Sequence, residues 1–240
     1  YIQGLFDEDY IIPDGFGAVV HSHTMEHFYN PLETIHTISN GLDDEGYMFF
    51  SIPNLEEMFR RKYTNVLNFE HTYLCVEPYV SIILNKSGFE VLDRKPFKDD
   101  HSVFYACRKR ASYKNETSCK GCYEKNKEMV LEWEKYHSSL VEQINKALDA
   151  ANENSGIYLF GAHVFSQYLL SFGMNGTRIQ AVLDNDPAKQ GKRLYGTPYF
   201  VKSIDVLRDE MRPLVILHAG THTDEIKKGI LKINDSAEFV

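Results

Sequence analysis

No apolar run in the sequence approaches the ~18 residues that a membrane span needs. Cysteine is scarce: Cys75, Cys107, Cys119 and Cys122 are too few for a disulfide framework in 240 residues, and a reducing cytoplasm is the expectation. There is no basic excess, since 26 Lys+Arg stand against 34 Asp+Glu for a formal net charge of -8. That argues against a nucleic-acid surface. The opening residues, YIQGLFDEDY, have neither a basic nor an apolar leader segment and no initiating Met. They predict that an upstream part of a larger protein is missing. Neither G-x-G-x-x-G nor H-E-x-x-H occurs. What remains is a globular composition, 43% apolar and 25% charged, with length for one large domain or two small ones.

Strand and helix patterns alternate along the first half. Phe16–Val20 follows the turn signal Pro13-Asp14-Gly15 and reads as a buried strand. Pro31 suits a first helical position, and Leu32, Ile35 and Ile38 recur at helical spacing up to Asn40-Gly41. Gly46–Ile52 is a second strand, ended by Pro53. A helix over about Tyr73–Lys86 stops at Gly88, and Phe89–Leu92 and Ser102–Cys107 are further strands. The lysine-rich stretch Arg108–Lys127 has linker composition. From Glu128 a long helix presents Val130, Trp133, His137, Leu140, Ile144 and Leu148 on one face. A second alternation follows: strands at Ile157–Phe160, Arg178–Leu183 and Leu214–Leu217, with helices from Val164 and from about Thr221.

Three polar clusters fall where parallel strands end, the place where such sheets bind ligands. His21, His23, Glu26 and His27 follow the first strand. They invite a metal, but the strand-to-helix switch separates His23 from His27, and no metal site is expected. His27 suits proton transfer instead. Asn68-Phe69-Glu70-His71 pairs a carboxylate with an imidazole in a loop. Gly161-Ala162 makes a strand-Gly-helix turn, with backbone N–H groups able to face an anion and a plain tight turn as the alternative. Thr221 or Thr223 could cap the last helix. Cys119-Lys120-Gly121-Cys122 supplies two of the about four ligands zinc needs and has no second pair.

In order, these clusters resemble a known pattern. Phe16–Pro31, with Glu26-His27 and Asn30-Pro31, is similar to the strand-to-helix stretch of class I S-adenosylmethionine-dependent methyltransferases; Gly41–Asn54 and Ser87–Val91 resemble later segments of that domain. Asn68–His71, Asp100-His101-Ser102, Gly161-Ala162, Asp184–Gly191, Leu194–Val201 and Gly220–Ile226 resemble the nucleotide-sugar C-methyltransferases, in which a second Rossmann-like domain follows. The resemblance implies an α/β chain: part of a class I methyltransferase sheet over 1–110, a linker and long helix over 111–155, and a Rossmann-like domain over 156–240. It implies S-adenosylmethionine as cofactor and a small-molecule substrate, a nucleotide-linked keto-deoxysugar, with no nucleic acid or membrane partner. His71 would be the base, Glu70 would position it or the substrate, and His27 would lie near the reacting carbonyl. Asn68, His101, Gly161, Ala162, Thr221 and His222 would contact substrate. The family's glycine-rich cofactor turn and its acidic residue have no counterpart here; Tyr1–Asp9 would hold a fragment of that pocket. O-methylation of a small metabolite or glycan, and a non-catalytic nucleotide-sugar-binding remnant, are the other readings.

Overall fold

A computed structural model describes residues 15–68, 70–98, 100–110, 119–218 and 222–240. The chain divides into two compact units, Tyr1–Arg61 with Val66–Leu131, and Lys62–Asn65 with Glu132–Val240. The division falls inside a helix, not in the lysine-rich stretch before it.

The first unit contains β1 (Phe16–Ser22), α1 (Pro31–Gly41), β2 (Leu42–Pro53), α2 (Leu55–Arg60), α3 (Tyr79–Lys86), β3 (Phe89–Phe97) and β4 (Ser102–Lys109). Its sheet runs β1-β2-β4-β3, with β1 parallel to β2 and the β3–β4 hairpin antiparallel. Period-two alternation sends Met48, Phe50 and Ile52 of β2 and Val103, Tyr105 and Cys107 of β4 to one face. There they join Ile35 and Ile38 of α1 and Val80 and Leu84 of α3 in one core. Phe50 stacks on Tyr105 with ring centroids 4.8 Å apart. On the other face Val20 of β1, Phe104 of β4 and Phe49 of β2 are exposed, at 75%, 47% and 41%. With Ser22 and Ala106 they line an apolar cavity of about 250 Å³ rimmed by Asp93 and Lys95.

Several elements depart from the expected bounds: the strand expected over Phe89–Leu92 runs to Phe97, and the long helix expected from Glu128 begins at Cys122. The helix expected from Tyr73 begins at Tyr79, after Pro78. The strand expected from Gly46 begins at Leu42. Gly88 ends α3 in the left-handed region, at φ +78, as a stop glycine should.

Next comes α4 (Cys122–Ala150), 29 residues long. Trp133, His137, Ile144 and Leu148 are buried as expected, but Val130 is exposed and Val141 takes a core place beside half-buried Leu140. The second unit continues with β5 (Ile157–Phe160), α5 (Val164–Ser171), β6 (Ile179–Leu183), β7 (Val201–Lys202), β8 (Leu214–Ile216), α6 (Thr223–Ile233) and β9 (Glu238–Phe239). The sheet order is β7-β6-β5-β8-β9, all parallel. Both faces are covered, which is why its central strands are continuously apolar. Val141, Ile144 and Leu148 of α4 pack with α5 on one side; Ile230 of α6 packs with Leu207 on the other. The two-residue strands β7 and β9 carry too little pattern to be read from sequence.

Candidate functional site

The first unit gathers several histidines and Glu26 at the carboxyl end of β1. His23 leaves the strand with φ 49, and its N–H donates to the Ser51 carbonyl (2.9 Å). A single 3-10 turn, Met25–His27, follows. Met25 is a core residue that anchors the turn and carries its neighbour Glu26 inside, where it is 0% exposed.

A second segment is bonded onto this turn. Thr72 N–H donates to the Glu26 carbonyl (3.0 Å), the Thr72 hydroxyl to the Phe28 carbonyl (2.6 Å), and the Tyr73 hydroxyl to the Met25 carbonyl (2.8 Å). His27 Nδ1 lies 2.8 Å from the Glu70 carbonyl oxygen. These contacts place the His27 and His71 rings at a centroid distance of 5.1 Å, edge to face. Asn68 shapes the loop: its carbonyl accepts from His71 N–H (3.1 Å), and its side-chain oxygen from Glu70 N–H (3.1 Å). His101 stands beside His23 with centroids 5.5 Å apart, and both rings reach the Ser102 hydroxyl, His23 through Nε2 at 2.8 Å.

The structure therefore brings His27, His71 and Asn68 together, with His101 adjoining through His23. Glu70 contributes its backbone carbonyl to His27, while the residue itself is exposed. Phe69 and Thr221 lie outside the described residues. Sequence spacing missed one grouping: Glu26, His27 and His71 each offer a ligand atom, and these atoms lie within 4.8 Å of one another. Only the fold shows this, because His71 comes from a separate loop.

Burial governs the electrostatics. Both Glu26 carboxylate oxygens are buried without a hydrogen-bond partner; His23 Nδ1 stands 3.4 Å from Oε1. Burial pushes the Glu26 carboxyl above its ordinary value, because the charged form loses its water. Burial first, then the neighbouring imidazoles, holds His71 and His23 below the ordinary histidine value. His21, stacked on Phe50 at 5.2 Å, is pushed down to about 4 by burial.

In the second unit the Gly161 turn has φ +103. A Cβ there would sit 2.7 Å from His163 Nε2, so the position requires glycine. Gly161 N–H donates to the Leu183 carbonyl (2.7 Å), and Ala162 N–H to Asp184 Oδ2 (2.8 Å). His163 Nδ1 caps α5 by accepting from Phe165 N–H (3.1 Å). Asp184 also accepts from Asp186 N–H (2.9 Å) and Lys189 Nζ (3.1 Å). Burial would raise its pKa, but these donors outweigh it and hold the carboxyl below its ordinary value. The chain's own Leu183 carbonyl and Asp184 carboxylate thus occupy the two turn donors that sequence offered to an anion. His222 is the N-cap residue of α6 without a side-chain capping bond, and Thr223 is the first helical residue.

No family model matches the chain, and no curated protein matches it. Solved structures do. A Mesorhizobium loti S-adenosylmethionine-dependent methyltransferase matches at 12% identity and TM-score 0.39, over 45% of this chain and 68% of that one. An O-methyltransferase family protein from Burkholderia thailandensis matches at 12% identity and TM-score 0.35, over 47% and 36%. The N-methyltransferase NodS of Bradyrhizobium japonicum, solved with S-adenosyl-L-homocysteine, matches at 13% identity and TM-score 0.31, over 42% and 50%.

Proposed function

We propose that the chain is part of an S-adenosylmethionine-dependent methyltransferase, and that its first unit supplies the substrate-side chemistry. In this reading it methylates carbon beside a carbonyl in a nucleotide-linked keto-deoxysugar, with O-methylation as the runner-up. The observation that carries the reading is the pairing of His27 and His71 across a bonded loop at a strand's carboxyl end.

When bound, the cofactor would supply an electrophilic methyl group. Among the described residues of the first unit no strand-to-helix glycine turn stands ready to hold it. What these residues can do is prepare the nucleophile. A proton beside a carbonyl must leave before carbon can accept a methyl group. His71 takes that proton on a ring nitrogen. His27, whose Nδ1–H donates to the Glu70 carbonyl, stabilises the developing enolate oxygen only as the imidazolium, by donating its second proton from Nε2. Fixed orientation of both rings lowers the barrier because little reorganisation remains. A hydroxyl substrate could lose its proton to the same ring.

The test is an assay of the natural gene product with a labelled methyl donor and a panel of nucleotide-linked keto-deoxysugars. His71→Ala is expected to lower turnover by about 10²–10⁴ without weakening cofactor binding. Retention of more than about a tenth of the rate would place the base elsewhere. A branched, acid-stable sugar marks C-methylation; an ether product would turn the reading to O-methylation.

A further inference from the structure

We propose that Glu26, His27 and His71 form a binding site for a divalent transition-metal ion, with Zn²⁺ as its natural match. Two imidazoles and one carboxylate make a borderline donor set, the kind that zinc takes with a fourth position left open. The three ligand atoms lie within 4.8 Å of one another. Two ligands on a tetrahedral ion at ~2.1 Å stand about 3.4 Å apart, so a bound ion draws the three atoms closer together than they stand without it.

Two further observations point to a ligand. Glu26 is fully buried, yet neither carboxylate oxygen has a hydrogen-bond partner. A buried carboxylate left this way is costly unless a cation meets it. His71 Nδ1 is likewise buried without a partner. Meanwhile His27 Nδ1 is engaged by the Glu70 carbonyl, which leaves Nε2 to coordinate. A backbone carbonyl on the far nitrogen is the usual support of a metal-bound histidine, since it fixes both tautomer and ring direction.

The consequence rests on the proposed function, although the binding does not. A nitrogen lone pair of His71 given to a metal is no longer available for a proton. The loaded form is therefore the one in which base catalysis is blocked, and zinc acts as an inhibitor competing with proton transfer.

The experiment is a titration of the 240-residue chain with Zn²⁺ by calorimetry and with Co²⁺ by visible absorption. One ion per chain is expected. Glu26→Gln and His71→Ala should each weaken binding about tenfold or more, since even outer partners of metal ligands are worth that much. Cys119→Ser with Cys122→Ser should leave it unchanged. Absence of binding, binding indifferent to Glu26→Gln and His71→Ala, or binding lost with the cysteine pair would overturn the proposal. Circular dichroism checks that Glu26→Gln folds; His71 is half-buried, so His71→Ala keeps the test decisive if it does not. Zinc binding without methyl transfer would defeat the proposed function alone. Methyl transfer without zinc binding would defeat this inference alone.

Discussion

Asp184 does at the start of α5 what a bound anion would otherwise do. Its carboxylate meets the Ala162 N–H, the Asp186 N–H and the Lys189 ammonium, and it is 8% exposed. Removing it leaves part-buried donors unpaired, and hydrogen bonds to charged groups are the expensive ones to lose. Asp184→Ala should destabilise the second unit by about 2 kcal/mol or more, read from urea unfolding; a change below about 0.5 kcal/mol would contradict this role. The glycine of the turn was legible in the sequence because strand, Gly and helix follow each other directly. The partner was not, because Asp184 arrives from the end of another strand. Glu26 was obscured in the same way. A glutamate in a polar stretch reads as surface, and only the neighbouring Met25 in the core takes it inside.

Among the elements, the bonds between the Met25–Phe28 turn and the Thr72–Tyr73 segment decide where His71 stands. Thr72→Val keeps the shape of the side chain and removes the hydroxyl bond to the Phe28 carbonyl (2.6 Å). It should lower stability by about 1 kcal/mol and loosen the His71 ring, seen as a shifted, broadened His71 resonance by NMR. An unchanged melting point and unchanged ring signals would show that the bond does not hold the loop. This segment also explains the late start of α3. Tyr73 bonds back to Met25, and Cys75 and Val76 are buried in the first unit, so tertiary contacts override the apolar spacing that predicted helix from Tyr73. By contrast α1 was legible to the residue, since Pro31 at its start and the Ile35–Ile38 pair leave one reading. The face of α4 was legible from Trp133 onward, where the indole Nε1–H donates to the Tyr63 carbonyl (2.8 Å). Val130 shares the spacing but meets no core, and spacing alone cannot distinguish the two.

Over the chain as a whole, buried histidines set the acid response of the second unit. Loss of water around the rings is the main cause that holds His137 and His218 below the ordinary histidine value. Their unfolded-state value is near 6.5, so as pH falls below it the unfolded chain takes up protons that the folded chain refuses. Stability is then present above about pH 6.5 and declines as the pH drops toward the depressed folded values. Trp133, the chain's single tryptophan, lies in this unit and reports its unfolding. The urea midpoint from its fluorescence should fall between pH 7 and pH 5, and a flat or rising midpoint would mean these rings take up protons freely when folded. In the first unit the proposed role of His71 is to remove a proton from carbon beside a carbonyl. Proton NMR of the nucleotide-linked keto-deoxysugars in D₂O, with the protein and without methyl donor, tests it most directly. The account predicts that the protein exchanges the proton next to the carbonyl for deuterium, and that His71→Ala stops the exchange. No exchange with any sugar of the panel, or exchange undiminished in His71→Ala, would contradict it.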